Sequence, residues 1–269
     1  MDEALIDSSQ LFVTGSALET ISQWSSILKS FQQRLSPYFA RCEARQAAFN
    51  YIQALLSPVE RKNGWQIAEQ VGDITPYRVQ HLLGRAQWDE TQLCHEVRQY
   101  GIAGLSQPED IFAVDETGFL KQGNQSVGVQ VQYYGTTGQL ENCQVGVFLA
   151  YVTSKGHSLI DRRLYLPKSW ADDPQKRSKV GVPETIQFAT KAQLAQQMLQ
   201  SAWEAGLRSA WVVADEVYGN DTRFGRWLEQ SGQQPYVLTV NKQHSVVMGW
   251  QPYRAEAACQ SLLPEQWQR

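Results

Sequence analysis

The sequence predicts an α/β protein in two parts, a helical region over about residues 1–105 followed by a mixed-sheet domain over 106–269. Three observations lead there. Helix-spaced apolar residues, punctuated by caps and glycines, fill the first part. Alternating or continuous apolar runs separated by turns fill the second. Two of those runs, "IFAVDETGF" (111–119) and "AWVVADEVYG" (210–219), meet Asp-Glu with a glycine close behind. At 269 residues the chain is long enough to bury a substantial core in one or two domains.

In the first part, "AAFNYIQALL" places Ala48, Tyr51, Ile52 and Leu55 on one helical face. "SPVE" then reads as the start of a further helix, with Ser57 as N-cap, Pro58 at the first helical position and Glu60 reaching back to the cap. "WQIAEQVG" stops at Gly72, and "TPYRVQHLLG" restarts at Thr75-Pro76 and stops at Gly84. Two short helices joined by "GDI" suit a helix-turn-helix, in which Pro76 to Leu83 would read DNA through Arg78, Gln80, His81 and Arg85; they suit a plain helical bundle equally.

In the second part, "QSVGVQVQYYG" alternates with period two, "NCQVGVFLAYVT" is a continuous apolar run, and "SLIDRRLYLP" follows as another strand. A helix is expected over "TIQFATKAQLAQQMLQSAWEAG", with Leu194, Met198 and Ala202 in line and Gly206 as its stop. "SAWVVAD" reads as a buried strand, "TRFGRWLEQSG" as a short helix and "YVLTV" as a last buried strand. Meandering strands followed by helix-alternating ones make a mixed sheet. In such a sheet the strands carrying Asp115 and Asp215 can be neighbours, with both acids at strand ends.

Composition narrows the function. Cys42, Cys94, Cys143 and Cys259 are widely spaced and away from the histidines, so neither a zinc site nor a disulfide framework is expected; this fits a cytoplasmic protein. The acidic start "MDEALIDSSQ" does not resemble a signal peptide, and no apolar run is long enough to cross a bilayer. The net charge of -3 argues against a generally basic nucleic-acid coat. The segment from Lys155 to Lys179, however, carries seven Lys or Arg against three Asp. Its Arg162, Arg163, Lys168, Lys176 and Arg177 are candidate DNA phosphate contacts, although a charged run also suits a solvated face.

Two carboxylates held close together need a shared proton or a divalent cation between them. Oxygen-only ligation favours Mg²⁺ or Mn²⁺, and such ions can clamp the attacking and leaving oxygens of a phosphodiester displacement. Asp115 and Asp215 are therefore candidate metal ligands and catalytic acids. The same acids also suit a turn with a helix N-cap. Glu116 and Glu216 point away from their neighbours on an extended backbone and are left outside the ligand set.

The segments "DETGFLKQGNQSVGVQVQYYGTTGQLENCQVGVFLAYVT", "GHSLIDRRLYLPKSW", "GVPETIQFATKAQLAQQML" and "VVADEVYGND", together with "SPVERKNGWQIAEQVGD" and "QHLLGRAQWD", resemble the DDE transposases of bacterial insertion sequences, in particular the insertion sequence 701 family. The resemblance implies an RNase H-like catalytic domain behind a helical region, acting as a metal-dependent enzyme in cleavage and strand transfer at transposon ends. It matches Asp115 and Asp215 to the family's first and second catalytic acids. Its third acid, a helix-borne glutamate, has no counterpart here, since Glu256 and Glu265 lie in no such helix. The expectation is an incomplete RNase H-like domain, a truncated form inactive alone, with DNA as partner and with homo-oligomers or assembly with full-length transposase in view. A DNA-binding regulator derived from a transposase is the alternative, and a compact nuclease using Glu256 or Glu265 is a third reading.

Overall fold

The computed structural model describes residues 17–105, 109–232, 234–263 and 266; the acidic N-terminal stretch and Glu265 lie outside these described residues. The chain forms two compact units, Met1–Ala103 and Gly104–Arg269.

The first unit is helical: α1 (Ala17–Leu35), α2 (Cys42–Leu56), α3 (Gly64–Gln70), α4 (Tyr77–Gly84) and α5 (Glu90–Ile102), with a 3₁₀ turn at Ser36–Tyr38. Leu35, Phe39, Ala47, Ala48 and Leu82 form one buried cluster, and Ala54, Ile67 and Val79 another. The helix expected at Ser57 is not there. Ser57 instead ends α2, its hydroxyl donating to the Ala54 carbonyl at 2.7 Å, and the next helix waits for Asn63, whose side chain accepts the Gln66 N–H. A serine hydroxyl can serve a departing helix as readily as an arriving one, so the local pattern did not fix its direction. On α4, Val79 and Leu82 face the core, while Arg78, Gln80 and His81 are exposed, as is Arg85 just beyond it.

The second unit is built on a six-stranded mixed sheet in the order β2-β3-β1-β5-β6, with β4 also paired to β3. Its strands are β1 (Ile111–Leu120), β2 (Gln130–Tyr134), β3 (Gln139–Thr153), β4 (Gly156–Leu164), β5 (Trp211–Ala214) and β6 (Tyr236–Leu238). The helices are α6 (Lys168–Ala171), α7 (Pro174–Lys179), α8 (Lys191–Glu204), α9 (Glu216–Gly219), α10 (Thr222–Gly232) and α11 (Ala255–Gln260). A small hairpin, β7 (Ser245–Met248) and β8 (Gln251–Arg254), forms a separate sheet. Helix α8 starts later than expected because Thr190 closes a complete capping box with Gln193. Its Leu194, Met198 and Ala202 are buried as the spacing predicts.

β1 runs on through Asp115 to Leu120, which corrects the expectation that it stops at the acids. The reason is β3, whose 15 residues pair β1 along its whole length. β5 is parallel to β1 only from Ile111 opposite Trp211 to Val114 opposite Ala214. Asp115 therefore stands mid-strand, at the rung where its β5 neighbour gives out.

The two faces of the sheet differ. Phe112, Val147, Leu149 and Val212 are fully buried on one face. Helix α10 lies on this face too, where the Tyr236 hydroxyl donates to Glu229 and the same ring lies against Gly225. The register puts Ile111, Ala113, Val152, Ala150, Val213 and Val237 on the other face, where Trp211 is 46%, Val237 56% and Leu159 59% exposed. A bulge in β4 decides what else lies there. Leu149 pairs with Asp161 and Ala150 with Leu159, so Ile160 is the extra residue, and both Ile160 and Asp161 are buried. Beyond the bulge Arg162 emerges on the open face opposite Phe148.

Candidate functional site

The register assembles the site. Asp115 pairs with Phe148 and Phe148 with Arg162, so three adjacent strands present Asp115, Phe148 and Arg162 in one row on one face. Asp215 follows Ala214, the residue paired with Val114, and its extended backbone continues the alternation of β5. Both aspartates thus lie one residue past the last β1–β5 rung, on neighbouring strands. With strands about 4.8 Å apart, the row places the Arg162 backbone roughly 10 Å from that of Asp115. Arg162 is exposed, its backbone N–H held by Asp161 Oδ1 at 2.7 Å.

Asp215 does two jobs. It is the N-cap of α9, its carboxylate accepting the Val217 N–H at 2.9 Å. Its pKa is raised, first by burial and then by the Glu116, Asp115 and Glu216 carboxylates, against a lowering pull from the Val217 N–H. The carboxylate that adds most to its load is thus Glu116. Asp115 is exposed and accepts the Glu116 N–H at 2.7 Å.

Glu116 turns to the opposite face. Its Oε1 pairs with Lys191 Nζ of α8 at 2.7 Å, with side chains only 16% and 23% exposed. Its Oε2 is buried without a hydrogen-bond partner, as is the Tyr218 hydroxyl. Burial, reinforced by the adjacent Glu116 carboxylate, pushes the Tyr218 pKa far above its ordinary value. Sequence reasoning missed this Lys191 pair. The Thr190 cap, which fixes Lys191 at the first position of α8, is the signal that could have suggested it.

The other basic candidates divide. Lys168 is exposed at the start of α6 with its ammonium 5.2 Å from the Phe188 ring centroid. Lys176, exposed on α7, donates to the Ser169 carbonyl at 3.2 Å and lies 3.7 Å from Asp173. Arg163 pairs with the buried Asp161 at 3.2 Å. The Arg177 guanidinium donates to the carbonyls of Ala171, Pro183, Glu184 and Ile186, clasping that loop.

The pair Asp115 and Asp215 suits a hard divalent cation, since it offers carboxylate oxygens only. Among the described residues no group of three His, Cys, Asp or Glu side chains could hold a metal ion, so no third carboxylate joins the pair. Glu256 is exposed in the first turn of the short helix α11, which packs alongside the β7–β8 hairpin. Among the described residues no helix is long and apolar enough to cross a membrane.

Comparison with known proteins shows the family. The chain is 24% identical over 217 residues to a probable transposase for insertion sequence element IS701 from Microchaete diplosiphon. The match covers 77% of this chain and 54% of that protein, so the chain spans about half the length of the curated relative. Helices followed by a mixed sheet are the architecture expected of an RNase H-like nuclease domain. Residues 34–261 match the family model described as DDE superfamily endonuclease, and the chain belongs to that superfamily.

Proposed function

We propose that this chain is the aspartate-bearing part of a metal-dependent transposase that cleaves and rejoins phosphodiesters at insertion-sequence ends, and that alone it binds DNA without cutting it. The observation that best supports this is the shared row: two aspartates beside each other and an unspent guanidinium two strands away on the same face. Asp115 and Asp215 would hold Mg²⁺ or Mn²⁺, which supplies Lewis-acid polarisation of a phosphoryl oxygen and a reactive water. Mutually repelling carboxylates gain from a cation between them, and the raised pKa of Asp215 is in keeping with that need.

Arg162, Lys168 and Lys176 would take DNA phosphates. Arg163 and Arg177 would shape the segment from behind, through Asp161 and the clasped loop. The exposed Arg78, Gln80, His81 and Arg85 would add a second DNA contact from the helical unit. Inactivity alone rests on two features: no third carboxylate among the described residues, and an apolar sheet face left open around Trp211, Val237 and Leu159. The parallel part of the sheet, β1-β5-β6, which carries Trp211 and Val237, is of the kind usually covered on both faces. An element supplied by a second copy or by a full-length transposase would supply both the cover and the acid.

The test combines DNA binding across a salt series with plasmid nicking in Mg²⁺ or Mn²⁺. The expected result is salt-sensitive binding and no nicking beyond that of Asp115→Asn. Changing Arg162, Lys168 and Lys176 together to alanine should flatten the salt slope by about 2–3, at roughly 0.9 per phosphate contact. An unchanged slope refutes the phosphate assignment. Strong metal-dependent nicking by the intact chain, lost in Asp115→Asn, refutes inactivity alone. DNA binding with no metal binding at all would favour the regulator reading.

A further inference from the structure

A hollow lies beside β2, away from the aspartates. A pocket of about 320 Å³ opens between the turn leading into β2 and the helices α6 and α7, lined by residues that include Asn124, Gln130, Trp170, Lys176 and Lys179. Its volume is at the lower end of the roughly 300–1,000 Å³ typical of small-ligand sites.

The floor of the pocket is built firmly. Trp170 is 5% exposed and its indole N–H donates to the Val129 carbonyl at 2.8 Å. Val129, Leu166, Trp170 and Ala171 form a buried cluster beneath it. Gly128 holds the turn at φ +77°, where a Cβ would meet the Tyr165 carbonyl oxygen at 2.9 Å. The wall facing solvent is polar and cationic. Lys176 lies 5.7 Å from the centroid of the Trp170 ring and also 3.7 Å from Asp173. Lys179 Nζ donates to Gln125 Oε1 at 3.2 Å. Gln130 Oε1 accepts from Ser169 Oγ at 2.8 Å and Asn124 Oδ1 from Gln125 at 2.7 Å, which leaves the NH₂ groups of Gln130 and Asn124 to donate elsewhere.

An apolar floor with an indole, two amide donors and two ammonium groups at the rim matches a flat heterocycle joined to a phosphate. We propose that this pocket receives one unpaired nucleotide of a DNA end, the base against Val129, Val180 and Trp170 and its phosphate at Lys176 and Lys179. The inference rests on the reading that DNA is the substrate, and deepens it. Lys168 and Lys176 belong to the same α6–α7 segment, so a strand held there by its phosphates passes the mouth of the pocket.

The experiment measures anisotropy of three labelled duplexes with the intact chain: blunt, with a three-nucleotide single-stranded overhang, and with the same overhang made abasic. The overhang should bind about fivefold tighter or more, the lower limit of what one stacked base contributes, and the abasic version should fall back to the blunt value. Gln130→Ala and Lys179→Ala sit at the rim and spare the buried Trp170; each should remove the preference while leaving blunt binding within about twofold. Lys155→Ala, a basic change outside the pocket, should keep it. Equal binding of all three duplexes, or a preference that survives both rim substitutions, overturns the pocket assignment while leaving DNA binding intact. No binding to any duplex defeats the broader DNA reading together with the pocket. Binding of a free deoxynucleoside monophosphate without any overhang preference would reassign the pocket to a free nucleotide and so overturn the proposal.

Discussion

Lys191→Met keeps the aliphatic stem of the side chain and deletes the charge that pairs with Glu116. The ion pair is 2.7 Å long and its side chains are 16% and 23% exposed, so most of each is out of water. Glu116 Oε2 is buried near the Tyr218 side chain, which brings no charge to offset it, so the substitution leaves a largely buried carboxylate with no cation at either oxygen. Breaking a fully buried pair costs about 3–5 kcal/mol and an exposed one about 0–1. For this degree of burial about 2–3 kcal/mol is expected. Glu116→Gln should cost less, about 1 kcal/mol, because the amide is neutral and Lys191 can turn to solvent. The double variant should recover part of the loss, with a coupling of about 1–2 kcal/mol. The assay is denaturation followed by tryptophan fluorescence, read for the sheet unit. At roughly 2–4 °C per kcal/mol for a domain of this size, Lys191→Met should lower Tm by about 5–10 °C. A shift under about 2 °C, or strict additivity in the double variant, would refute the view that this pair supports the site.

Two further outcomes follow from the site. The raised pKa of Asp215 means the folded state holds that proton more tightly than the unfolded one, so Asp215 erodes stability as pH rises from the ordinary carboxylate range through the raised value. Asp215→Asn keeps an N-cap acceptor for Val217 and should raise Tm at neutral pH, with the gain shrinking towards acid pH; an equal gain at every pH would show the effect is not ionisation. Gly219→Ala would drive a Cβ into the Thr239 carbonyl oxygen, which is backbone and has little room to yield. A cost of about 2–3 kcal/mol in denaturant unfolding is expected, and a neutral result would mean α9 shifts freely against the chain beyond β6.

The parts legible in the sequence were those set by local pattern. Apolar runs located β1 and β5, and the four-residue spacing of Leu194, Met198 and Ala202 gave the buried face of α8. Asp115 and Asp215 could be paired as candidates because each follows such a run. The misses lay where the pattern alone left the outcome open. The length of β1 depends on β3, and the direction of the Ser57 cap depends on what α2 leaves unsatisfied. The place of Arg162 turns on one bulged residue: without it Asp161 would occupy the row of Asp115 and Arg162 would face the helices. Nothing in "SLIDRRLYLP" announces that slip. The β7–β8 hairpin escaped because its turn places Trp250 at φ 73°, a conformation that turn statistics assign to glycine or asparagine.

The strand order β2-β3-β1-β5-β6 also sets a timetable. As the polypeptide leaves the ribosome, β1 to β4 can pair locally, yet the side of β1 that will receive β5 stays an open hydrogen-bonding edge until residues 211–214 emerge. Nearly a hundred residues of synthesis separate the two, and closing so long a loop is the slow kind of contact. Until then the nascent protein offers a template for strand pairing with other chains. Since the same late docking brings Asp215 beside Asp115, the acidic pair can exist only once that edge is closed.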